Sequence, residues 1–164
     1  MSENPSIARF VPHRAHTSTS DDLLVWAIDT RHLPLYWFPR DCPRGTWWAG
    51  EGTTDDDADR FLGSAARVHA IQGDWLDRMR AVHVYAYRLP EDTFAPDEEV
   101  GGYWLSREPV EPLELVELGD LLARHAEAGI ELRIVPDLGR LWERVVASTL
   151  EFSGMRLRNL RAGN

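Results

Sequence analysis

The segment LLVWAIDTRHLPLYWFPRDCPRGTWW, residues 23–48, packs two strand signals around a proline-bounded turn and sets the frame for the rest of the chain. LLVWAI (23–28) is a short apolar run of the kind that forms a buried strand. Asp29 and Thr30 then offer side-chain oxygens to cap a short helix over RHLPLYWF, which Pro39 closes. Gly45-Thr46-Trp47-Trp48 reads as a second, aromatic strand.

Working downstream, Thr53-Thr54 before Asp55-Asp56-Asp57 is a strong helix start, with the acids at the positive helix end. That helix is expected to run to Ala66, and RVHAI (67–71) to return as a strand. Gly73-Asp74 opens a further helix, WLDRMRA, before the alternating VHVYAYRL (82–89). PEDTFAPDEEV (90–100) is a proline- and acid-rich loop. GGYWLSRE (101–108) and EPLELVEL (111–118) read as strands bent at Pro109 and Pro112. Asp120 starts the helix LLARHAEAG, Gly129 stops it, and IELRIVP (130–136) is a strand. From Asp137 to Leu160 the spacing of Leu141, Val145, Ser148, Phe152 and Met155 predicts one long C-terminal helix. The sum is a single α+β domain over residues 1–164.

Composition narrows the function classes. The chain has 164 residues, 18 basic and 27 acidic, six His and one Cys. Every basic residue is arginine, as the codon usage of a GC-rich bacterial genome produces. Residues 1–50 are neutral, residues 51–139 carry −12 and residues 140–164 carry +3. So acidic a middle repels a phosphate backbone, which disfavours nucleic acid as a bulk partner. The segregation fits a non-enzymatic interaction domain or a homodimer held by charge. No apolar run is long enough to span a membrane. A lone cysteine and no basic–apolar leader point to the cytoplasm.

Several residues carry candidate chemistry. Arg40 and Arg44 flank Cys42 in PRDCPR (39–44); they could lower its pKa, with His32 the nearest base in sequence. The commoner outcome for such a segment is a fixed turn with a small buried thiol, Asp41 paired to one arginine and the other arginine left to bind an anion. His13 and His16, followed by Asp21 and Asp22, permit a metal site without requiring one, and no metal is assigned. Tyr36, Trp37, Trp47 and Trp48 stand close in sequence, and Tyr103-Trp104 follow on a later strand; aromatic walls serve a core or a stacked ring equally well. Ser148-Thr149 followed by Glu151 suggests a nucleotide-transfer site, but by helical spacing Glu151 belongs to a solvated face with Arg140, Arg144 and Arg158, opposite the apolar stripe.

The segments SENPSIARFVP, VWAIDTRHLPLYWFPRDCPR, SAARVHAI, GYWLSREPVEPL and VVASTLEFSGMRLRN resemble a small uncharacterised bacterial family, a domain of unknown function. More distantly, the order of elements is similar to the ADP-ribosyltransferase-like fold. That resemblance implies a split, mixed sheet and a nucleotide-like ligand such as NAD or ADP-ribose. It places Trp26, Tyr36, Tyr103 and Ser106, with Arg40 and Arg44, at the ligand. Two positions depart from the pattern. The chain opens at Met1-Ser2-Glu3, where a strand bearing a His would precede, so the natural start is expected upstream or that strand is missing. Gly102 stands before Tyr103, where a transferase carries its catalytic Glu. Glu98 and Glu99 are near in sequence; Glu108 lies six residues on, about 20 Å along a strand at ~3.3 Å per residue. No catalytic residue is assigned, and the nearest alternative chemistry is a thiol enzyme on Cys42.

Overall fold

The computed structural model describes residues 1–14 and 22–160; His16 and Asp21 lie outside them. In chain order the elements begin with β1 (Val25–Ile28), β2 (Arg44–Trp48), α1 (Asp55–Phe61), β3 (Arg67–Gln72) and α2 (Leu76–Ala81). There follow β4 (Tyr85–Arg88), β5 (Ala95–Pro96), β6 (Tyr103–Ser106) and β7 (Glu114–Glu117). The last are α3 (Leu121–Glu127), β8 (Glu131–Val135), α4 (Leu138–Val146) and β9 (Glu151–Met155). This is an α+β composition, divided into two units. One comprises Met1–Trp37 and His83–Leu118, the other Phe38–Val82 and Gly119 onward.

The first unit holds two small antiparallel sheets, β1-β6-β5 and β4-β7. In β1-β6 the register pairs Val25 with Ser106, Trp26 with Leu105 and Ile28 with Tyr103. Because strand side chains alternate, Trp26, Ile28, Tyr103 and Leu105 share one face, and Val25 and Ser106 the other. The irregular N-terminal segment is tied down by bridges from Ser2 to Tyr85 and Phe10 to Val110. Tyr87 adds to this: its hydroxyl donates to the Asn4 carbonyl at 2.6 Å, and its ring meets Phe10 edge-to-face.

The second unit is built on a four-stranded mixed sheet, β8-β3-β2-β9, in which only β3 and β8 run parallel. One face carries the apolar core: Trp47, Val68 and Ala70 pack with Phe61, Leu62, Leu138, Val145 and Leu150. Gly45 and Gly154 are directly opposed on β2 and β9. Together they make a flat seat for the Trp142 ring. A Cβ at Gly45 would lie 2.8 Å from that ring and one at Gly154 2.6 Å. The opposite face carries Thr46, His69 and Ile71, all buried.

Helix starts follow the sequence closely. Thr54 caps α1, with Asp55, Asp56 and Asp57 in its first turn, and Asp120 caps α3 through the amides of Leu122 and Ala123. Two helices differ in length from expectation. α1 stops at Phe61, not Ala66, and Gly63 behind it has φ +59°. The long C-terminal helix does not form: α4 ends at Val146 and residues 151–155 become strand β9. Asp57 accounts for the break, because its carboxylate accepts from both the amide (2.8 Å) and the hydroxyl (2.7 Å) of Thr149. The segment around Asp29 forms a single 3₁₀ turn, Leu33–Tyr36.

Candidate functional site

The aromatic residues of the first unit converge. The Tyr36 and Tyr103 hydroxyls are hydrogen-bonded at 2.7 Å, and their rings stand edge-to-face with centroids 6.5 Å apart. Trp26 meets Tyr103 edge-to-face at 6.0 Å. All three rings are half-buried. The indole Nε1 of Trp26 is buried and has no hydrogen-bond partner among the described residues. Buried indole N–H groups in folded proteins usually meet an acceptor.

Beside this trio stands a pair that the sequence reading did not join. At the end of β1, Asp29 Oδ1 accepts the backbone N–H of His32 at 2.8 Å, and the same carboxylate takes His32 Nδ1 at 2.8 and 3.0 Å. Partial burial pushes the Asp29 carboxyl upward, but the hydrogen bonds and charge of His32, with the Arg31 amide, hold it below its ordinary value. The imidazole lies over Gly102. That residue has φ +88°, and a Cβ on it would fall 2.6 Å from His32 Cγ. Position 102 is glycine for a steric reason: a side chain there meets the His32 ring. An Asp-x-x-His spacing at a strand end was the available signal.

Ser106, Arg40 and Arg44, the other expected ligand residues, make contacts of their own. Ser106 faces away from Tyr103; its buried hydroxyl donates to Thr93 Oγ1 at 2.9 Å and to the Glu108 carbonyl at 3.3 Å, so it acts as a local brace. Arg40 and Arg44 belong to the second unit. Arg44 is buried; it donates to the Cys42 carbonyl at 3.1 Å, contacts Met155 Sδ at 2.9 Å and lies over the Phe38 ring. Arg40 and Asp41 are exposed, and their carbonyls accept from Arg156 and Asn159. Asp41 is therefore not the desolvated partner expected of it: the main chain holds this turn. Cys42 is fully buried, and burial pushes its thiol up to about 12 against the pull of Arg44, with Asp74 raising it further. A thiol so placed is not a nucleophile at neutral pH.

The second unit also holds a histidine pair that sequence reasoning missed. His69 Nδ1 and His125 Nε2 are 3.0 Å apart, and His125 Nδ1 donates to the Leu121 carbonyl at 2.6 Å. Those partners fix both tautomers: His125 carries its proton on Nδ1, so His69 must donate from Nδ1. Phe38 closes on both rings. Burial lowers both pKa values, most for His69, where the charges of His125, Arg67 and Arg44 add to it. The signal was a His inside the apolar strand RVHAI and another one turn after Leu121 on α3.

The remaining candidates are structural. Trp47 is core and donates to the Phe61 carbonyl; Trp48 donates to Glu151. Ser148 returns its hydroxyl to the Val145 carbonyl. His13 Nδ1 bonds the Val11 carbonyl, and Asp22 takes both terminal nitrogens of Arg107. Among the described residues no group of three His, Cys, Asp or Glu could hold a metal ion, and no helix is long and apolar enough to cross a membrane.

Residues 1–160 match the model of a family of unknown function, DUF6886, and the chain belongs to that family. No curated protein and no solved structure matches it.

Proposed function

We propose that this protein binds a small, flat, nucleotide-class ligand on the Trp26–Tyr36–Tyr103 cluster of its first unit. The observation that carries this reading is the buried, unpartnered Trp26 Nε1 within a half-exposed aromatic trio. Stacked or edge-on rings gain from such walls. NAD and ADP-ribose are the first ligands to test, because the segment order is similar to the ADP-ribosyltransferase-like fold. In this reading the protein binds without transferring ADP-ribose. A glycine pinned under His32 has no carboxylate to stabilise an oxocarbenium ion.

Thermal denaturation with NAD, ADP-ribose and AMP tests it. A ligand at 100 times its Kd adds about 2.7 kcal/mol of stability. The expected result is a rise in Tm with at least one of the three, lost in Trp26→Phe and in Tyr103→Ala. No shift with any of them at millimolar concentration overturns the proposal.

A further inference from the structure

We infer that the Asp29–His32 pair is the polar recognition element of this aromatic site and selects ligands whose ring edge presents an N–H donor, as adenine and nicotinamide do. The inference rests on the ring-binding reading above and specifies its chemistry. His32 is the residue before the 3₁₀ turn that ends in Tyr36, and its ring lies on Gly102, the residue before Tyr103. The imidazole is thus held between the two chain segments that supply the phenols.

Both hydrogen bonds of that ring run through Nδ1 to one carboxylate, which leaves Nε2 open among the described residues. An ionised carboxylate accepts only, so the Nδ1 facing it must carry the proton. In the neutral imidazole Nε2 is then a lone pair. The His32 side chain is 24% exposed, so the ring is reachable from solvent. A lone pair accepts an amino or amide N–H and repels a carbonyl or an unprotonated ring nitrogen. Asp29 is the positioning residue: it sets which nitrogen of His32 is the acceptor and does not touch the ligand. Gly102 completes the arrangement, because any Cβ there would displace the ring.

The probes are AMP and its analogue lacking the 6-amino group, purine riboside 5′-monophosphate, titrated against the intact chain. One lost hydrogen bond costs about tenfold in Kd. The wild-type protein should bind AMP about tenfold tighter than the analogue, and His32→Ala should bind the two equally. The ¹⁵N resonances of the His32 ring should report the proton on Nδ1, and on Nε2 in Asp29→Ala, where the AMP preference should also vanish. Equal binding of the two nucleotides by the wild type, with AMP still bound, overturns the role of His32 and leaves the ring site standing. Failure of both nucleotides to bind overturns this inference, and the ring-site reading falls with it when NAD and ADP-ribose also leave Tm unchanged. Should His32→Ala fail to fold, the wild-type spectrum decides, and a proton on Nε2 sinks the inference.

Discussion

Each unit of this molecule places imidazole among aromatic rings, and the two places are built to opposite ends. His69 and His125 are 0% and 1% exposed, face Phe38, and end their hydrogen-bond chain on a main-chain carbonyl. His32 is partly exposed, near tyrosines, and its chain ends on a carboxylate. A carbonyl acceptor stabilises a neutral, buried imidazole and nothing more. A carboxylate fixes a tautomer, and partial exposure leaves the ring open to solvent. The partner and the water, not the histidine, separate a core residue from a candidate site.

The largest expected effect comes from filling the space under His32. Gly102→Glu introduces a side chain at φ +88° against the imidazole. Left-handed strain and overpacking together should cost about 2–5 kcal/mol, read as a fall in the urea midpoint. A fully stable Gly102→Glu would mean that the ring is not seated as described and that the site has room for a carboxylate.

In the second unit the counterpart is Arg44. Its guanidinium is buried between the Cys42 carbonyl, Met155 and Phe38. Arg44→Ala leaves a cavity and an unsatisfied carbonyl, and should lower stability by about 2–4 kcal/mol.

These two positions also show how far the sequence could be read. Caps and breakers act locally, so Thr54, Asp120 and Gly129 placed their helix ends from sequence alone. The C-terminal segment was misjudged because a spacing of four is common to both periods. Ser148 and Phe152 share a face in a helix and in a strand alike. What settles the matter is non-local: Thr149 is captured by Asp57, and Gly154 must oppose Gly45 beneath Trp142. In the candidate site, Tyr36 and Tyr103 were legible as aromatics, whereas Ser106 was displaced by strand alternation, three residues being an odd step. His32 needed the structure, since only the approach of Gly102 shows what its ring rests on.

The buried histidine pair supplies the next effect. His69→Leu should cost about 1–3 kcal/mol, because His125 Nε2 loses its donor in a dry environment. The double variant His69→Leu/His125→Leu should recover much of that loss, since no imidazole nitrogen is then stranded and only the Leu121 carbonyl loses a side-chain donor. Acid should tell the same story. The folded-state pKa values of both histidines lie below the ordinary value, so between those values and about pH 6.5 the unfolded chain binds protons that the native chain does not. Stability should therefore be flat above about pH 7 and fall as the pH drops below about 6.5. The double variant should lose most of that slope. An unchanged slope would mean that the pair is wetter, and closer in kind to His32, than its burial says.

The smallest effect belongs to Arg40, four residues from Arg44 in the same proline-bounded turn. Its side chain is exposed, and the contact from Arg156 is made to its carbonyl, which any residue supplies. Pro39 and Pro43 fix the backbone on either side. Arg40→Ala should move Tm by less than about 2 °C, the ordinary result for a surface substitution. The paired measurement matters more than either value. Two arginines with the same flanking prolines, one costly and one silent, would assign the stability of the turn to burial of a single guanidinium. A loss at Arg40 comparable to that at Arg44 would instead place the turn's stability in the charge of both.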